Sequence, residues 1–124
     1  MIRTAMACLL AATLAASGVA AVAQQEAERG TGVVLRGLDK INGAVEDVRL
    51  VNGARVALGR LQIRLEECRF PAGSPATDAW AFLEIREAGR EEAIFRGWMI
   101  ASSPALNPLD HARYDVWVLR CTTS

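Results

Sequence analysis

Beyond residue 31 the apolar positions of the chain fall in short runs separated by turn residues, the pattern of a protein built from strands. Val33–Leu38 is followed by Asp39-Lys40-Ile41-Asn42-Gly43, and Asn-Gly is a strong hairpin pair because both residues tolerate positive φ. Ala44–Leu50 makes a second run, closed by Asn52-Gly53, and Arg55–Leu58 a short third, closed by Gly59. From Arg60 the alternation is strict: Leu61, Ile63 and Leu65 against Arg60, Gln62 and Arg64, which gives the strand one wet face. The next apolar residues are Cys68 and Phe70, so the phase slips from odd to even positions across Glu66-Glu67. One extra strand residue does this, which predicts a β-bulge that turns Cys68 inward. The other reading ends the strand at Glu67.

Pro71–Asp78 is a loop by composition, Trp80–Arg86 a strand, Glu87-Ala88-Gly89-Arg90 a turn, and Glu92–Ile100 another strand. The connector Ala101–Arg113 is long for a small domain, and such loops are functional or carry a helical turn. Ser103 before Pro104 suits the cap of a single turn with proline at its first position. In the last run, Tyr114–Cys121, one face carries Tyr114, Val116 and Val118 and the other Trp117, Leu119 and Cys121. Apolar residues on both faces predict a central strand covered on each side. Trp98, Trp117 and Tyr114 could form an aromatic binding surface, but Trp98 and Trp117 stand beside aliphatic residues and are expected in the core, Tyr114 nearer the loop edge. No helical period is sustained and no segment repeats. The expectation is an all-β antiparallel sandwich or small barrel of about seven strands, one domain over residues 32–124, preceded by a polar, flexible leader at 24–31.

Residues 1–23 differ from the rest. Arg3 gives a short positive start, Met6–Val22 carries no charge, and Ala21-Val22-Ala23 supplies small residues where a signal peptidase needs them. An uncleaved anchor is the other reading, but this run is mostly alanine, with leucine only at 9, 10 and 14. The expectation is a signal peptide cut near Ala23–Gln24, hence a periplasmic or secreted protein that meets a membrane only through its transient leader. Cys8 would leave with that leader, and Cys68 and Cys121 would remain in an oxidising compartment. A bridge between them is expected; two free thiols are the alternative.

Charge narrows the functions. The chain has 14 basic and 14 acidic residues, a balance that excludes the basic surplus of a nucleic-acid binder. All basic residues but Lys40 are arginine.

With these runs in place the chain resembles the DUF2155 family of small exported proteins, mainly from alphaproteobacteria. The resemblance rests on LRGLDKINGAV at 35–45, Gly59-Arg60-Leu61, Cys68, AFLEI at 81–85 and, above all, GWMIASSPALNPLDHARYDVWVLRC at 97–121. This chain has Ile100 where the family usually has phenylalanine, and Asp110-His111-Ala112 where it has Glu-His-Pro, which makes that part of the connector less rigid. The resemblance implies export and supports the Cys68–Cys121 pairing, since both match family positions. It transfers no catalytic residue, cofactor or ligand.

Candidate chemistry therefore comes from the connector and its flanks: Ser102, Ser103, Pro104, Leu106, Asp110, His111, Tyr114 and Asp115. A hydrolase would use Ser102 or Ser103 as nucleophile, His111 as base and Asp110 or Asp115 to orient it, but no Gly-x-Ser-x-Gly elbow is present. Capping serines and a histidine bonded to its neighbours are the simpler reading. Asp110, His111 and Asp115 could approach a metal, yet adjacent residues converge poorly on one ion, so no metal and no cofactor is expected. The leading expectation is a binding or accessory module for an envelope protein or polymer, contacted through the connector. A small serine–histidine hydrolase and a proteinaceous inhibitor of an exported enzyme are the alternatives.

Overall fold

A computed structural model describes residues 26–124. The signal peptide expected at 1–23 lies outside these residues. The described residues form eight strands: β1 (Ala27–Arg29), β2 (Gly32–Asp39), β3 (Val45–Val51), β4 (Arg55–Leu58), β5 (Leu61–Pro71), β6 (Trp80–Glu87), β7 (Ala93–Ile100) and β8 (Tyr114–Thr122). They make two antiparallel sheets. One runs β1-β5-β6-β7 with β4 also on β5, and the other runs β3-β2-β8. The sheets do not close into a barrel; the architecture is a β-sandwich. Parity along each strand explains the core. Leu61, Ile63 and Leu65 of β5, Leu83 and Ile85 of β6 and Met99 of β7 face Val33 and Leu35 of β2 and Val116 and Val118 of β8, all buried.

The phase slip in β5 is a bulge. Leu65 pairs with Leu83 and Glu67 with Phe82, so Glu66 is the extra residue, and Cys68 is fully buried. A second bulge was hidden by the apolar character of β8. Val34 pairs with Arg120 and Leu35 with Val118, which leaves Leu119 as the extra residue. That moves Cys121 onto the face of Tyr114, Val116 and Val118, and away from Trp117 where simple alternation places it. Cys68 and Cys121 are joined across the sandwich, with an S–S distance of 2.05 Å and a Cα–Cα distance of 5.7 Å.

Four further expectations are corrected. Part of the polar stretch at 24–31 is strand β1, its Ala27, Glu28 and Arg29 pairing with Pro71, Phe70 and Arg69. Beyond it, Gly30 donates to Cys68 O and Thr31 to Thr122 O, so this short segment is held by backbone bonds that side-chain pattern does not report. Strand β8 is not central. Among the described residues it pairs only with β2, which is the middle strand of its sheet. No helical turn follows Ser103: Leu106 N–H donates to Ser103 O at 3.0 Å, closing a β-turn around Pro104-Ala105. Finally, Trp98 is 37% exposed while Tyr114 is buried. In β7 the inward positions belong to Phe95, Gly97 and Met99, so Trp98 points outward by parity. Tyr114 shares the inward face of Val116 and Val118.

Candidate functional site

The connector is fastened at both ends by side chains. At its start, Ser102 donates twice to Asp78, from its backbone N–H to Oδ1 at 3.0 Å and from Oγ to Oδ2 at 2.8 Å. Asp78 also accepts from Ala79 N–H at 2.8 Å and Trp80 Nε1 at 3.2 Å. Burial pushes the Asp78 carboxyl up, but these donors outweigh it and hold the group below the usual aspartate value. In the middle, Asn107 Nδ2 donates to Trp98 O at 2.9 Å, and Leu109 is buried in the core.

At its end the connector turns on His111. Its Nδ1 accepts from the backbone N–H groups of Arg113 at 2.9 Å and Tyr114 at 3.1 Å. The proton of the neutral ring is therefore on Nε2, which donates to Glu87 Oε1 at 2.7 Å. This bond lowers the Glu87 carboxyl, against the opposing push of burial. The imidazole also packs against the Tyr114 ring, with centroids 5.3 Å apart. The β2–β3 hairpin completes the anchorage. Lys40 Nζ donates to His111 O at 2.6 Å, and Lys40 N–H to Arg113 O at 2.7 Å. Arg113 reaches Asp39 Oδ2 from Nε at 3.1 Å and Nη2 at 2.9 Å, holding that carboxyl below its ordinary value.

This geometry separates the residues proposed for hydrolysis. A general base needs an imidazole lone pair aimed at the serine hydroxyl. Here both His111 nitrogens are engaged by Glu87 and the backbone, and the Ser102 hydroxyl is given to Asp78. Ser103, Pro104 and Asp110 lie exposed on the connector, and Leu106 is 71% exposed. Asp115 sits 3.7 Å from Lys40 Nζ. Asp110, His111 and Asp115 do not gather, and among the described residues no group of three His, Cys, Asp or Glu side chains is placed to hold a metal ion.

The aromatic surface that the sequence offers as a second reading of Trp98 exists with other members: on the outer face of β5-β6-β7, Trp98 is joined by Trp80 and Phe82 and not by Trp117 or Tyr114. In the register of the sheet Trp80 pairs with Ile100 and Phe82 with Trp98, and the outward parity of both strands puts all four on the solvent side. Phe82 and Trp98 meet edge-to-face, with centroids 5.3 Å apart at 79°. Arg69, Trp80, Trp98 and Ile100 line a shallow recess of about 330 Å³. A second, of about 350 Å³, lies on the other side of Trp98 between Phe82, Arg29 and Arg96, with Glu66 and Glu67 in its wall. The signal was the even-numbered parity of β6 and β7. It was masked because an outward tryptophan among aliphatic neighbours looks like a core residue until the strand's partner is known.

Comparison with known proteins places the chain in a family. An uncharacterised protein of Rickettsia prowazekii (strain Madrid E), RP359, is 28% identical over 87 residues, a match covering 68% of this chain and 56% of that relative. No solved structure matches at a significant level. A family model described as "Uncharacterized protein conserved in bacteria (DUF2155)" matches residues 33–121, nearly the whole sandwich from β2 to the second cysteine, and the chain belongs to the DUF2155 family.

Proposed function

We propose that this protein is an exported, disulfide-stapled β-domain that works by binding another component of the cell envelope, a protein or an envelope polymer. The observation that carries the reading is the solvent-facing pair Phe82–Trp98, extended by Trp80 and Ile100 on one open sheet face. Aromatic side chains left in solvent by a well-packed sandwich offer large, rigid contact area, the composition of recognition surfaces. The connector offers a second exposed apolar side chain, Leu106 at its turn, and Asn107 ties it to the edge of β7 at the Trp98 carbonyl. Export is supported by the apolar leader at 1–23 and by a cysteine pair that lasts only where thiols are oxidised.

The test is photo-crosslinking in cells that express the full chain, with the photoreactive residue placed at Trp98, at Leu106, or at the buried control Ile63. The reading expects a processed protein in the envelope fraction and an adduct of defined mass from position 98 or 106 but not from 63. An unprocessed cytosolic protein contradicts it. So does ester or amide turnover that disappears with His111→Ala.

A further inference from the structure

We infer that the outer face of β5-β6-β7 is the docking surface for an acidic peptide segment of a partner protein, whose apolar side chain seats between Trp80, Trp98 and Ile100 while its carboxylates meet the surrounding arginines. This rests on the binding-module reading above and adds the chemistry of the partner. The whole chain is balanced, but this face is not: Arg29, Arg64, Arg69, Arg86 and Arg96 surround Glu66, Glu67 and Glu84.

Each of those carboxylates is already held between two guanidinium groups. Glu67 lies 3.2 Å from Arg69 and 3.7 Å from Arg29. Glu66 lies 3.0 Å from Arg64 and 3.8 Å from Arg96. Glu84 lies 2.6 Å from Arg86 and 3.3 Å from Arg96. One of the three is also recessed. The Glu84 side chain is 8% exposed, whereas those of Arg96 and Arg29 are 59% and 61% exposed. What the face still offers a ligand is therefore N–H donors in planar forks, which match carboxylates.

Between the forks the floor is apolar and aromatic. Phe82 is braced by Trp98 on its edge and by the Arg96 guanidinium 5.6 Å from its centroid, so the floor is organised before a ligand arrives. A neutral glycan needs acceptors for its hydroxyl protons as well as donors, and five of the six carboxylate oxygens here already face an arginine, Glu66 Oε2 being the exception. A ligand strand added to the edge of β7 meets Asn107, which occupies Trp98 O. An acidic segment with a leucine or phenylalanine side chain, lying across the face, satisfies both the floor and the forks.

The experiment uses ¹⁵N-labelled protein produced from the full chain and purified with its disulfide intact. The probe is the blocked peptide Gly-Glu-Phe-Glu-Leu-Glu-Gly, titrated beside a version with lysine for glutamate and one with serine for phenylalanine and leucine. Chitotetraose and phosphatidylglycerol vesicles form the remaining arms. The expected result is saturable shifts at the indole N–H resonances and at residues 80–82 and 96–100 with the acidic apolar peptide, and weaker binding of both altered peptides. Trp98→Ala and Arg69→Glu each weaken it about tenfold or more, with the folded spectrum retained because both side chains lie outside the core. The inference is overturned if that face shows no saturable shift, if the lysine peptide binds as well, or if the glycan or the vesicles bind and the acidic peptide does not. If the chain cross-links an envelope component through other residues, the binding-module reading stands and this inference alone falls.

Discussion

Cys68 and Cys121 meet across the sandwich because each lies just beyond an extra strand residue, Glu66 in β5 and Leu119 in β8, that turns the following half-cystine toward the core. The bridge closes a separation of 53 residues. Chain-entropy arguments give such a loop about 4 kcal/mol of stabilisation. The double variant Cys68→Ala/Cys121→Ala is expected to lose most of that in urea unfolding while keeping a β-sheet circular dichroism spectrum under native conditions. A loss below about 1 kcal/mol contradicts the cross-link's structural role.

Tyr114 and the β4–β5 turn form a second tie between the sheets. Its hydroxyl accepts from Arg60 N–H at 3.1 Å, and its ring lies where a Cβ on Gly59 would stand, 2.6–2.8 Å from Tyr114 atoms. Gly59 also has φ near +56°, a region unfavourable for residues with a side chain. Gly59→Ala is therefore expected to cost more than about 1 kcal/mol, since conformation and contact act together. Tyr114→Phe removes only the acceptor for Arg60 and should cost about 1 kcal/mol. Equal costs in thermal unfolding would show that the glycine's backbone and its contact with the ring add nothing beyond one hydrogen bond.

Acid should loosen the connector. Asp39, Asp78 and Glu87 all have carboxyls held below their ordinary values, by Arg113, by the donors that outweigh Asp78's burial, and by His111. A folded-state value below the unfolded one means stability that is complete above the ordinary carboxylate range and lost as pH falls through the depressed folded values. Below about pH 4, the ordinary range for these groups, the unfolding midpoint should therefore drop, and Asp39→Asn or Glu87→Gln should flatten that drop. An acid limb identical in the variants would show that these pairs contribute nothing to it.

Ser102 is expected to be a fastening. Ser102→Ala removes the Oγ bond to Asp78 and should cost about 1 kcal/mol, with faster amide exchange at the start of the connector. Asp78→Ala also strands Trp80 Nε1 and the N–H groups of Ala79 and Ser102, and should cost more. Exchange unchanged in Ser102→Ala would contradict this role.

The legible part of the fold was whatever alternation encodes. Leu61, Ile63 and Leu65 announced β5, and the slip at Glu66-Glu67 announced its bulge, because polar residues marked the wet face on both sides of it. The bulge at Leu119 was not legible, since an apolar extra residue between Val118 and Arg120 leaves no break in the pattern. Strand β1 was not legible for a different reason. Its pairing with β5 is made by backbone groups, and Ala27, Glu28 and Arg29 are all exposed. At the site, the sequence offers Ser102 as a cap and His111 as bonded to a neighbour, whereas their partners Asp78 and Glu87 lie 24 positions away in each case and belong to tertiary structure. The face of Trp98 and Phe82 needed the β6–β7 register before its exposure could be known.

Non-reducing peptide mapping of the protein recovered from fractionated cells tests most directly whether it is a processed, oxidised β-domain. The expected product begins near Gln24, sits in the envelope or medium, and yields one linked peptide pair containing Cys68 and Cys121. A cytosolic protein that retains Met1 and carries both sulfurs as free thiols would contradict it.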